Sequence, residues 1–148
     1  MMEHSPLTWL GETTAVQVWW DASAQWLYVR WRGAYAVEAA DTGWAFLLQY
    51  LQQHPCPKLL SDAREAATGW AGQETWAGEA LFPALGHAGV QYVACVYPSA
   101  LLARVSLDAT LATAPQPFLA AFEDVATACS WLQRQSAAGQ TTPERPAS

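Results

Sequence analysis

Charge is scarce in this sequence, and positive charge most of all. Only 14% of the residues are Asp, Glu, Lys or Arg, against about 25% in an average domain. Lysine occurs once, at Lys58, and Arg30 and Arg32 are the nearest approach to a basic cluster. With a formal net charge of -6, the chain lacks the basic footprint that phosphate contacts require, which argues against DNA or RNA as a partner. An anionic membrane surface is disfavoured on the same ground. Long apolar runs are missing too: none approaches the ~20 residues that a membrane span requires. The opening Met1-Met2-Glu3-His4-Ser5-Pro6 has no basic stretch followed by an apolar one, so no secretory signal is expected. Cysteines number 3, at Cys56, Cys95 and Cys129. An odd number in apolar surroundings fits reduced thiols rather than a disulfide framework, and a cytoplasmic location follows as the expectation.

The motifs of several chemistries are also absent. No glycine-rich loop ends in Lys-Ser/Thr, and the close glycine pair of Gly69-Trp70-Ala71-Gly72 lacks that ending. No serine occupies a Gly-x-Ser-x-Gly elbow. His-Glu-x-x-His and Cys-x-x-Cys are missing, and His54 with Cys56 is half a metal motif without its second half. The histidines at 4, 54 and 87 form no cluster. A favourable interaction with a helix C-terminus explains His54 and His87 without catalysis. Neither a metal nor a cofactor is expected.

What is present is a hydrophobic fraction of 52% over 148 residues, enough for one domain with a sizeable core and no disulfide or metal to hold it. The apolar pattern first alternates. Val16, Val18 and Trp20 oppose Gln17 and Trp19, and after the turn from Asp21 to Gln25 the residues Leu27, Val29 and Trp31 oppose Tyr28 and Arg30. This predicts an antiparallel hairpin. Helical spacing follows at Val37, Ala40, Trp44, Leu47, Leu48 and Leu51, stopped by Pro55 and Pro57. A short strand runs from Lys58 to Asp62. From Gly72 to Ala88 the pattern is helical but interrupted at Pro83, so two short helices meeting near Phe82 are expected. A central strand spans Val90 to Tyr97, a helix Leu101 to Leu111, and a last strand Phe118 to Phe122. Glu123 or Asp124 then caps a final helix that buries Val125, Ala128, Trp131 and Leu132. The order predicts an α/β domain over residues 1–135, a mixed sheet with an antiparallel hairpin and then mainly parallel strands, covered by helices. Residues 136–148 carry no large apolar side chain and read as a disordered tail.

Two groups of residues are candidates for function. The first is Asp62-Ala63-Arg64-Glu65 at the end of a parallel strand, where ligands of open α/β sheets bind. Asp62 and Arg64 would anchor a ligand between Trp70 and Trp76, with Tyr97 and Arg104 contributed from the next strand end and helix. The plainer alternative is a carboxylate that ties down loop amides or pairs with Arg64 or Arg104. The second group is the hairpin tryptophans Trp19, Trp20, Trp26 and Trp31, which cannot all face one core. Those on the outer face need cover from a helix, a ligand or the second subunit of a homodimer.

Several stretches carry a resemblance. Leu59-Leu60-Ser61-Asp62-Ala63-Arg64, Trp76 with Leu81-Phe82-Pro83-Ala84-Leu85, Ala88-Gly89-Val90-Gln91-Tyr92-Val93-Ala94, and Phe122-Glu123-Asp124 through Ala128 to Trp131-Leu132 together resemble the SpoIIAA-like (STAS/SEC14-like) proteins of bacteria. The likeness runs from about Val16 to Leu132. It implies a STAS-like mixed sheet and a non-catalytic regulatory role. The serine whose phosphorylation switches some STAS domains, placed after the strand-ending aspartate, has no counterpart, since Ala63, Arg64, Glu65 and Ala66 follow Asp62. The function expected is therefore a non-enzymatic regulatory or protein-interaction module. The alternatives are a carrier of a lipid or other apolar molecule and, third, an enzyme using Asp62 as acid or base.

Overall fold

The computed structural model describes residues 7–33, 37–67, 77–112 and 118–136. Trp70, Trp76 and all but the first residue of the expected tail lie outside them. The chain opens with a strand that sequence reading did not anticipate, β1 (Leu7–Glu12), followed by β2 (Val16–Asp21) and β3 (Trp26–Gly33). Helix α1 (Val37–Gln53) leads to β4 (Lys58–Ala66). A π-helical turn (Ala77–Leu81) runs into α2 (Phe82–His87), so the helical stretch does change character at Phe82, with Pro83 in the first turn where it is tolerated. Strand β5 (Tyr92–Val96), α3 (Leu101–Leu111), β6 (Phe118–Phe122) and α4 (Val125–Arg134) complete the order. Asp124 is the N-cap of α4, accepting from the Thr127 N–H at 2.7 Å.

The 6-stranded sheet follows chain order from edge to edge. β1, β2 and β3 are antiparallel neighbours, and β3 through β6 are parallel. The expected α/β mixed sheet is therefore present, one strand wider than expected. The β2–β3 turn closes with Gln25 donating its N–H to the Asp21 carbonyl at 2.8 Å while Asp21 Oδ1 accepts from the Ala24 N–H at 3.0 Å.

This order decides where the helices go. Right-handed crossovers that always step to the next strand place their helices on one face of the sheet. Strand register assigns Val16, Val18, Leu27, Val29, Trp31, Leu59, Ser61, Val93 and Cys95 to that face. Helix α1 presses on its hairpin end, where a Cβ on Gly43 would come within 3.1 Å of Trp31 and 3.2 Å of Val16. Trp31 tilts against Trp44 at 4.9 Å and donates its indole N–H to Ser61 Oγ at 3.2 Å. Among the described helices α4, which follows the last strand, returns over the opposite face. It packs on β4, β5 and β6, with Trp131 against Tyr92 and Phe122 and with Ala128 and Leu132 fully buried. Because strand order never reverses, the sheet has no topological switch point, the usual ligand crevice of open α/β sheets. No described helix is long and apolar enough to cross a membrane.

Candidate functional site

The opposite face divides in two. Its β4–β6 half lies under α4, and its β1–β3 half is built from the side chains that alternate away from the helical face. Register aligns Trp9, Trp19 and Tyr28 in one cross-strand row, and Glu12, Gln17, Arg30 and Asp62 in the next. Aligned aromatics on neighbouring strands touch and stabilise one another. Trp9 meets Trp19 edge-on at 5.2 Å, and Trp19 stacks on Tyr28 at 5.4 Å. The Arg30 guanidinium lies 5.4 Å from the Trp19 ring centroid, a cation–π position. Trp9, at the sheet edge, remains 49% exposed.

The row ends inward on Asp62, whose side chain is 1% exposed. A carboxylate so deeply placed must be paired, and this one is. Its Oδ2 accepts from the Tyr28 hydroxyl at 2.5 Å and from Arg64 Nη2 at 2.7 Å, and its Oδ1 accepts from Arg64 Nε at 2.9 Å and from the Arg64 N–H at 3.1 Å. Arg64 can reach back because β4 bulges: Arg30 and Arg32 on β3 pair with Asp62 and Glu65, so the partner strand holds one residue more. Burial pushes the Asp62 carboxyl up, but the hydrogen bonds from Arg64 and Tyr28 outweigh it and hold it below its ordinary value. Burial raises the Tyr28 phenol, and donation to Asp62 raises it further. Arg64 is held in its charged form chiefly by the hydrogen bonds to Asp62. Arg32 pairs with Glu12 at 3.3 Å, whereas Arg30 forms no ion pair with a described carboxylate.

Such a carboxylate is poorly disposed to exchange protons with a substrate. Its donors are in place and its proton affinity is lowered. Among the described residues no three His, Cys, Asp or Glu side chains come together to hold a metal ion.

The other candidates are dispersed. Tyr97 and Arg104 form a second cluster, in which the Tyr97 hydroxyl donates to Asp108 at 2.7 Å. Arg104 lies 4.3 Å over the Tyr97 ring and donates to Glu123 at 2.6 Å. This cluster is built with α3 and the end of β6, apart from the Asp62–Arg64 pair. Of the hairpin tryptophans, Trp26 and Trp31 are inside the protomer at 1% and 3% exposure. Trp20 is half-buried on the helical face, and Trp19 is half-buried in the aromatic row. Five members of the two rows were missing from the sequence reading of the site: Trp9, Glu12, Gln17, Tyr28 and Arg30. The alternation already opposed Tyr28 and Arg30 to the buried residues of β3, and pairing them with Trp19 and Gln17 across the turn would have revealed the row.

Between the sheet and the helices, Trp44, Ser61, Phe82, Leu85, Val93, Cys95, Leu107, Leu111 and Leu119 line a cavity with about 10 Å³ of room for the centre of a water-sized sphere. That is about one water. Compared with protein-family models, with curated proteins and with solved structures, the chain finds no match.

Proposed function

We propose that this domain is a non-catalytic, STAS-like interaction module whose working surface is the outer, Trp9-bearing edge of the β1–β3 half of the sheet. The observation that carries the proposal is the Trp9–Trp19–Tyr28 row on the β1–β3 half, which runs from buried Tyr28 through half-buried Trp19 to Trp9, 49% exposed at the sheet edge. An exposed tryptophan and a half-buried one beside an arginine are the composition that protein interfaces favour. Arg30, which lies by Trp19 and forms no ion pair with a described carboxylate, suits a partner segment that brings an acidic side chain next to apolar ones. The buried Asp62 network serves this surface by holding Tyr28 and the β4 bulge in place. The domain also works as a homodimer in this proposal, and its expected setting is the cytoplasm.

The cavity lined by Trp44, Leu107 and Leu119 is far smaller than the about 300–1,000 Å³ of pockets for apolar ligands and lends the carrier alternative no support. The test is native mass spectrometry of freshly purified full-length chain, followed by denaturing extraction and by capture of partners on wild-type and Trp9→Ser/Trp19→Ser baits. Supporting results are no stoichiometric small molecule and a partner retained only by the wild type. A one-to-one apolar adduct, or a partner held equally by both baits, would refute the surface.

A further inference from the structure

The two edges of the sheet are protected very differently. An edge strand offers unpaired N–H and C=O groups, and proteins blunt it with bulges, charges or proline. On β1 the blunting is visible. Its register slips between Trp9 and Gly11, Gly11 takes a φ of +151°, and the strand ends on Glu12. On β6, Phe118-Leu119-Ala120-Ala121-Phe122, there is no charge, no proline and no bulge: its register with β5 is continuous.

The direction of the β6 backbone can be deduced. The Phe122 carbonyl accepts from the Tyr97 N–H at 2.9 Å and therefore points toward β5. In a parallel strand the N–H and C=O of one residue point the same way and alternate along the chain. Phe118, Ala120 and Phe122 thus bond to β5, and Leu119 and Ala121 aim their N–H and C=O groups outward. Pro117, the residue before the strand in the sequence, has no N–H to donate.

We propose that β6 is the seam of a homodimer, in which the β6 strands of two copies pair antiparallel about a two-fold axis through Ala120. In that register Leu119 faces Ala121 of the other copy, and the two pairs of outward groups close four backbone hydrogen bonds. Ala120 faces itself in the non-hydrogen-bonded position, where the Cα atoms approach to about 4.5 Å. That is the position where a small side chain is needed, and Ala is there. In this register each Leu119 lies opposite an Ala121, large against small on both sides of the axis, so the strand complements its own reverse, which suits a second copy. The seam also continues onto the helical face. There α3, which packs on β6, exposes Leu101 (73%) and Val105 (57%) one turn apart. A perpendicular two-fold axis sets the second α3 on the same face across the seam. The inference rests on the reading that the domain works by association. Its test measures self-association alone, so the two can fail separately.

Oligomeric state is measured by light scattering and native mass spectrometry on full-length chain at tens of micromolar. Wild type is expected at twice the 16.1 kDa chain mass, and a monomer would overturn the proposal. Ala120→Lys and Ala120→Glu each place like charges against each other at the axis and are expected to be folded monomers. Mixing the two is expected to restore a one-to-one dimer, because position 120 meets itself. Either variant remaining a dimer, or the mixture remaining monomeric while both are folded, would overturn the register. Should a charged variant fail to fold, Ala121→Pro decides. It removes an N–H that the protomer does not use, so a folded monomer supports the seam and a dimer refutes it.

Discussion

Removing the charge of Asp62 while keeping its shape should lower stability by about 2 kcal/mol. In Asp62→Asn one carboxylate oxygen becomes an amide NH₂, which cannot accept. If that group occupies the Oδ2 position, the Tyr28 hydroxyl can turn and accept from it, while Arg64 Nη2 loses its partner. If it occupies the Oδ1 position, the Arg64 N–H and Nε both lose theirs, so the first orientation is the cheaper one. Hydrogen bonds to a charged group are worth about 1.5–3 kcal/mol each. The Arg64 side chain is 51% exposed, so water recovers part of its loss. What remains is about one charged hydrogen bond plus the weakening of the others, hence ~2 kcal/mol, or roughly 4–8 °C in Tm for a domain of this size. Calorimetry at pH 7, with urea titration as a second measure, provides the assay. The pH dependence checks the cause. Because the folded-state pKa of Asp62 is lowered, its contribution is present above the ordinary value of 3.8 and is lost as pH falls through the folded value. The gap between wild type and Asp62→Asn should therefore close in acid. A Tm within about 1 °C of wild type at pH 7 would refute the network as the support of the bulge.

Three other positions give sharp outcomes. Gly11→Ala should destabilise by about 1–2 kcal/mol in urea titration, because φ is +151° and the new Cβ would lie 2.9 Å from Phe46 Cζ. Asp124→Ala removes the N-cap of α4 and should cost about 1 kcal/mol, with faster hydrogen exchange in the first turn of that helix. Cys95 is buried, and its thiol is pushed up to about 12 by burial. Peptide mapping after iodoacetamide at pH 8 should find it unmodified in the folded protein and alkylated in urea, whereas half-buried Cys129 reacts first.

Much of the fold was legible because its signals are local. The alternation in Val16–Arg32, the helical spacing after Val37, and the stop at Pro55 and Pro57 are each written within one element. The break at Phe82 and the Asp124 cap are of the same kind. Strand β1 was not legible, because Gly11 and the register slip beside it interrupt its alternation, and its strand character comes from pairing with β2. The extension of β4 beyond Asp62 was hidden for a similar reason, since a bulge sits where the sequence suggests a loop. The Asp62–Arg64 pair could be proposed from two residues on one strand end. Its third member, Tyr28, lies 34 positions away and is brought there only by the parallel register of β3 with β4. The tryptophans show the same limit. Alternation separates Trp19 from Trp20, but only packing places Trp26 and Trp31 in the core and leaves Trp9 outside.

The most direct test of the interaction surface places a photo-crosslinking phenylalanine analogue at position 9 of the full-length chain, with position 133 on α4 as the exposed comparison. Irradiation in the cells that make the protein should give a discrete adduct from position 9 and none in common from position 133. That adduct should be lost when Trp19→Ser and Arg30→Gln are added. No adduct at position 9, or one that survives those substitutions, would contradict the assignment of the aromatic row as the surface through which this domain acts.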